Sequence, residues 1–228
     1  GQGLPEVISI IAKETQMAAN QGFTIGASLT SGAANLIYTF GSAEQKTIFC
    51  EKMFRGTWSG SMCLTEPQAG TAVGDAATTA TKEDAGYYLI KGTKQFITNG
   101  DHDMADNIIH LLLARTPDAP EGTKGISLFI VPKIRLDGTP NDVKVVSIEH
   151  KMGINGSPTC LLSFGENSDC HGFLLKAESI GMAQMFQLMN EARLLVGLQG
   201  LAGAGAAVQN AWAYAKERTQ GTSAVHPG

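Results

Sequence analysis

The stretch MCLTEPQAGT, residues 62 to 71, runs from apolar side chains into two threonines, a carboxylate, a proline and two small residues. Pro67 cannot donate to a β ladder, so the chain must leave its sheet near Glu66, and Ala69 and Gly70 leave room for another backbone or a ligand. The hydroxyls of Thr65 and Thr71, with the N–H groups of the turn, suit a planar heterocycle rich in hydrogen-bonding atoms, or a phosphate. An ordinary strand-end turn is the competing account. In KQFITNG, residues 94 to 100, strand alternation puts Phe96 and Thr98 on one face before an Asn-Gly exit. An aromatic ring beside a hydroxyl can stack on and bond a flat ring; a core phenylalanine before a hairpin turn is the alternative.

Other reactive types are read as structural. Glu66 satisfies backbone donors beside Pro67. Glu149 and His150, adjacent in a strand, point to opposite faces and make no acid–base pair. His102 and His110 lack ligand-spaced partners, and Asp101, Asp103 and Asp106 form a solvated loop. Cys50, Cys63, Cys160 and Cys170 contain no C-x-x-C pair. No metal site and no catalytic residue is assigned.

The 228 residues carry a net charge of -4 and no basic cluster, which argues against nucleic acid or an anionic membrane as partner. The cysteine pattern points to a reduced, cytoplasmic compartment. The most apolar window, 194 to 208, is interrupted by Gln199 and falls short of the ~20 residues of a membrane span. It is read as a buried Gly/Ala-rich helix. The first residue is Gly1 and no leader pattern follows, so the chain is expected to begin inside a longer protein.

These candidate residues need elements to hold them. Leu4, Val7, Ile8 and Ile11 recur at helical spacing after Pro5 is set in a first turn, and Leu29, Ala33, Leu36, Ile37 and Phe40 outline a second helix. Gly41 closes it, Ser42 with Gln45 makes a capping box, and Gly56 ends a third. From residue 57 the period becomes two: TWSGSMCLT, 57 to 65, alternates as a half-buried strand. Further strands are expected at 76–81, 87–91, 94–98, 108–115, 126–131, 143–149 and 159–164, eight in all, forming a closed barrel or sandwich. After Lys176 the helical period returns, with Met182, Met185, Phe186 and Met189 on one packed face. Gly197, Gly200, Gly203 and Gly205 follow on a next helix that calls for a tight neighbour. The fold class is α+β: residues 1–56 helical, 57–175 a central β domain, 176–228 helical again.

Four stretches, MCLTEPQAGT, GTKQFITNG, KMGINGSPTCLLSF and MNEARLLVGLQGLAGAGAAVQNAWAYAKERTQG, together resemble the acyl-CoA dehydrogenases, in that family's order and over essentially the whole chain. The resemblance implies the end of an N-terminal helical domain, the whole middle β-barrel domain and the start of a C-terminal helical bundle. It implies FAD as cofactor and α,β-desaturation of an acyl-CoA thioester. Met62, Leu64 and Thr65 would line the flavin ring, Gly70 and Thr71 would approach its ribityl and phosphate region, and Phe96 and Thr98 would cover the other side. Asn190, Glu191 and Arg193 would contact the CoA, as would Thr71, and Arg218 would reach the FAD of a neighbouring subunit in a homo-oligomer, a dimer or tetramer. An electron-transfer flavoprotein would be the electron acceptor. Many members carry Trp where this chain has Phe96, and Ser-Asp where it has Thr71-Ala72, which removes a loop-ordering carboxylate. The family's proton-abstracting glutamate lies in the later bundle, past Gly228, so residues 1–228 would be inactive alone. Two rival readings keep the residues and change the outcome: an acyl-CoA oxidase, nitroalkane-oxidase-like enzyme or flavin monooxygenase of the same superfamily, or a non-catalytic ligand-binding or assembly module.

Overall fold

The computed structural model describes residues 5–221. Leu4 of the first helical pattern, and the outer ends of the two helical segments, lie outside them. Helix α1 (Glu6–Ala19) stops at Asn20, whose side chain accepts from the Phe23 N–H and so caps α2 (Gln21–Phe40). Gly41 ends α2, and the capping box of Ser42 with Gln45 is formed in both directions. It opens α3 (Ala43–Gln45), which runs through a π-helical turn (Lys46–Cys50) into α4 (Glu51–Phe54), and Gly56 follows at φ 77°.

Eight strands follow: β1 (Trp58–Cys63), β2 (Thr79–Lys82), β3 (Tyr88–Thr98), β4 (Asn107–Arg115), β5 (Ile126–Pro132), β6 (Val143–Ile148), β7 (Thr159–Phe164) and β8 (His171–Leu174). β4 pairs β5, β5 pairs β8, β8 pairs β3, β3 pairs β2, and β2 returns to β4 through Thr79 and Arg115. Those five strands close a ring. β1 lies outside it, parallel to β4, while β7 and β6 extend from the second half of β3. The final helix α5 (Gly181–Glu217) is a single rod of 37 residues.

The strands divide two cores. Along β4, Ile109, Leu111 and Leu113 face the helices with Ala33, Leu36, Ile37, Phe49, Met185 and Leu188, while Leu112 and Ala114 face the barrel interior with Ile90, Phe129, Val131 and Phe164. Both faces being covered, β4 and β5 are nearly continuous apolar runs, each buried Leu or Ile contributing ~1.5–3 kcal/mol.

Several sequence expectations need correction. The stretches at 87–91 and 94–98 are one strand, because Gly92-Thr93 reads as a break yet remains in the ladder. The eighth strand is instead the four-residue β8, too short to show a period. Residues 76–78 belong to a loop and β2 begins at Thr79. β1 is not half-buried: Ser61 and Cys63 are as enclosed as Gly60, since helices cover one face and barrel interior the other. Residues after 176 form one helix, not two, and Phe186 is exposed while Met182, Met185 and Met189 pack into the core. The 194–208 window is not buried either: Leu195, Leu198 and Ala202 pack with Met17, but Leu194, Val196, Leu201 and Val208 stand in solvent. Around Gly197, Gly200 and Gly205 the space is open; Gly203 alone meets a neighbour, Gln21. No helix among the described residues is long and apolar enough to cross a membrane.

Candidate functional site

β1 and the second half of β3 bring the first two chemical stretches together. The Gln95 N–H donates to the Thr65 carbonyl at 2.8 Å, and Lys94 Nζ donates to the Leu64 carbonyl at 3.2 Å and to Glu66 Oε1 at 2.7 Å. The third stretch joins them through β7, which pairs Thr98 with Thr159 and Ile97 with Cys160. At the exit of β3 the Asn99 N–H bonds the Pro158 carbonyl, and Ser157 Oγ donates to Asn99 Oδ1 at 2.7 Å. Gly26 on α2 lies so close that a Cβ there would overlap Asn99 Nδ2.

Within this junction Thr65 and Thr98 are half-buried, and Phe96 is 56% exposed at φ 60°. Phe96 sits in a bulge: between Lys94 opposite Leu162 and Ile97 opposite Cys160, β3 advances three residues while β7 advances two. Phe96 and Thr98 share the outward side, with Ile97 buried between them. Met62 and Leu64 lean on the helix-facing core and leave only part of each side chain free. Gly70 and Thr71 are exposed, and open space surrounds the Gly70 Cα.

The loop leaving β1 is ordered from within. Glu66 is 3% exposed and accepts from Gln68 Nε2, the Ala77 and Thr78 N–H groups, Thr78 Oγ1 and Lys94 Nζ. Burial would raise its pKa, but the Lys94 charge and these donors outweigh that and hold it at about 2. Burial draws Lys94 down, against the pull of Glu66. Glu66 therefore serves backbone donors, though those of residues 77 and 78 rather than beside Pro67. Arg115 ties the far side of the loop, donating to the carbonyls of Gly74, Ala76, Pro120 and Gly122. Sequence reading missed Lys94 and Arg115, and nothing in their immediate neighbours marks either one.

The other reactive types are placed as follows. His110 is fully buried inside the barrel; Nδ1 lies 2.7 Å from Ser61 Oγ, Nε2 has no hydrogen-bond partner among the described residues, and burial drives its pKa down to about 3. Its neighbour Cys63 is an inert thiol, raised by burial to about 12. His102 Nε2 lies 3.0 Å from Ser59 Oγ, and Asp101 is ion-paired with Lys133. Glu149 and His150 fall beyond the end of β6.

The fourth stretch lies apart from this junction, on α5. Asn190 and Arg193 are exposed and bond each other at 3.0 Å, and Glu191 lines a small apolar cleft of about 80 Å³ between α1, α2 and α5. Ile25, Leu29, Leu188, Leu195 and Val196 form its walls. Arg218 is exposed at the end of α5, with Gln220 as its partner.

Residues 61–166, β1 through β7 and the three stretches they join, match the acyl-CoA dehydrogenase middle domain. The chain is 48% identical to a butyryl-CoA dehydrogenase of Syntrophomonas wolfei, covering 94% of this chain and 37% of that protein. It is 44% identical to a 3-methylmercaptopropionyl-CoA dehydrogenase of Ruegeria pomeroyi, over 96% and 38% respectively. The solved butyryl-CoA dehydrogenase of Megasphaera elsdenii superposes with a TM-score of 0.79 at 35% identity, over 92% of this chain and 53% of that one. The chain thus spans about 37% to 53% of the length of these relatives. By sequence and by the barrel it builds, it belongs to the acyl-CoA dehydrogenase family.

Proposed function

We propose that the chain is the FAD- and CoA-contacting part of an acyl-CoA dehydrogenase that desaturates an acyl-CoA thioester between Cα and Cβ. The observation that carries this reading is the junction of β1 with β3. Two half-buried hydroxyls and an exposed aromatic ring face out where bulk is absent at Gly70. The residues fit a flavin: Phe96 offers a stacking face, Thr65 and Thr98 bond polar ring edges, Met62 and Leu64 give an apolar floor, and Gly70 and Thr71 leave room for the ribityl and phosphate groups. FAD, when bound, supplies the hydride acceptor.

The remaining roles follow from the family resemblance. Asn190, Glu191 and Arg193 are proposed to hold the CoA, as is Thr71. The α-proton is removed by a glutamate carried C-terminal to residue 228 in longer family members. Arg218 reaches the FAD of a second copy in a homo-oligomer, and reducing equivalents pass to an electron-transfer flavoprotein. The division at 1–56, 57–175 and 176–228, and a cytoplasmic setting with all four thiols reduced, belong to the same proposal.

The test is titration of the purified chain with FAD, then of the complex with butyryl-CoA. Quenched flavin fluorescence and structured visible absorption are expected, with a further spectral change on adding the thioester. Thr65→Val and Thr98→Val should each weaken FAD binding about tenfold, the loss of a hydrogen bond to a buried polar edge. A chain that takes up no FAD refutes the reading.

A further inference from the structure

Lys94 is 0% exposed, and its ammonium contacts the residues on either side of Thr65: the Leu64 carbonyl before it and the Glu66 carboxylate after it. The next residue of β3, Gln95, bonds Thr65 itself. The residue after that is Phe96, in the left-handed region and inside the bulge. For a side chain with a Cβ that conformation is strained, and it persists only where its surroundings over-determine it. Successive residues 94, 95 and 96 therefore anchor, align and present. A buried ion pair is also a poor source of stability, because desolvating both charges offsets their attraction and apolar residues of similar volume serve a core equally well. What the pair fixes is geometry.

We propose that Lys94 and Glu66 are positioning residues of the cofactor site, holding the β3 bulge so that Phe96 is displayed beside Thr65. This rests on the proposed assignment of that junction to FAD, but its geometric part stands independently. Glu66 contributes from the other side, since the same carboxylate fastens residues 77 and 78 and so closes the loop carrying Gly70 and Thr71. One charge pair then sets the β3 face and the loop that the cofactor must fit between.

Lys94→Met alone strands a buried carboxylate and threatens the fold. The informative variant is Lys94→Met with Glu66→Gln, which removes both charges while the Gln oxygen, standing where Oε1 was, still accepts from the Thr78 N–H group. Two measurements are made on the full chain. Amide exchange at Gln95 should become at least about tenfold faster in the double variant, with the β4–β5 amides, such as those of Leu111 and Leu113, unchanged. FAD affinity should fall roughly tenfold or more, with the visible bands shifted, although the melting temperature stays near that of the unaltered chain. Gln95 protection equal to that of the unaltered chain, or equal FAD affinity, overturns the proposal. If the unaltered chain binds no FAD, the functional reading falls, and exchange at Gln95 still decides whether the pair holds the bulge.

Discussion

Phe96 and His110 show opposite uses of an awkward residue. Phe96 gains little from packing, being exposed, and carries the cost of a positive φ. Phe96→Gly should therefore leave stability to denaturant equal or higher, since glycine adopts this conformation freely, while FAD binding weakens about tenfold through the lost stacking face. A variant that loses stability instead would place Phe96 among the packed core residues and not in the site. His110 is enclosed as a neutral ring. Its folded pKa, about 3, lies below the ordinary 6.5, so between these values the unfolded chain binds the extra proton and stability falls as pH drops, by up to about 1.4 kcal/mol per pH unit. Glu66 acts with the same sign lower down, its stabilisation being present above 4.5 and lost toward about 2. His110→Asn, which can still meet Ser61, should flatten the loss between pH 6.5 and 4.5 and leave the lower limb in place. Denaturant titrations at pH 7, 6 and 5 give the slope, and a slope equal to that of the parent chain rules the account out. In the sequence His110 looked like an ordinary histidine, because nothing local reveals that its strand has barrel interior on one side.

At the level of elements, legibility followed how local the cause was. The capping box at Ser42, the stop at Gly56 and the limits of β7 were readable because a few adjacent residues determine them. β3 was read as two strands because its middle, Gly92-Thr93, lacks apolar side chains; what keeps it extended is pairing with β7, remote in sequence. The clustering of the first two chemical stretches was legible in their residue types and through the family resemblance. Their fastening through Lys94 was not, since a buried lysine acquires its meaning only from a carboxylate 28 residues earlier. The contact of α2 with β1 gives a sharp test. A Cβ on Gly60 would come within 2.7 Å of the Ala33 Cβ and 2.8 Å of the Met53 Cε, and the Gly60 N–H bonds Thr30 Oγ1. Gly60→Ala should cost ~1–3 kcal/mol by equilibrium unfolding, as overpacking at a rigid helix–strand contact does. A change under about 0.5 kcal/mol would show that α2 floats on β1.

Across the whole molecule, the order of helices, barrel and helix was readable from changes of period, yet the reading of α5 as buried was not sustained. Apolar composition says that a surface will be covered by something, without saying that it is covered by this chain. Leu194, Val196, Leu201, Val208, Trp212 and Tyr214 are each more than half exposed, and the small residues among them leave the helix backbone accessible. Exposed apolar area on this scale drives association in water. The purified chain should therefore show a sedimentation coefficient that rises with concentration, together with binding of an apolar fluorescent dye. Leu201→Lys with Val208→Lys should suppress both while leaving the melting temperature within a few degrees, because neither side chain packs into a core. FAD binding should survive those two changes, weakened only by loss of the second copy's Arg218 contact, if the junction of β1 and β3 is the main site, since they lie on the helix and not on either strand. Complete loss of FAD binding on removal of the apolar stripe would instead mean that association supplies more of the cofactor site than the Arg218 contact of a second copy.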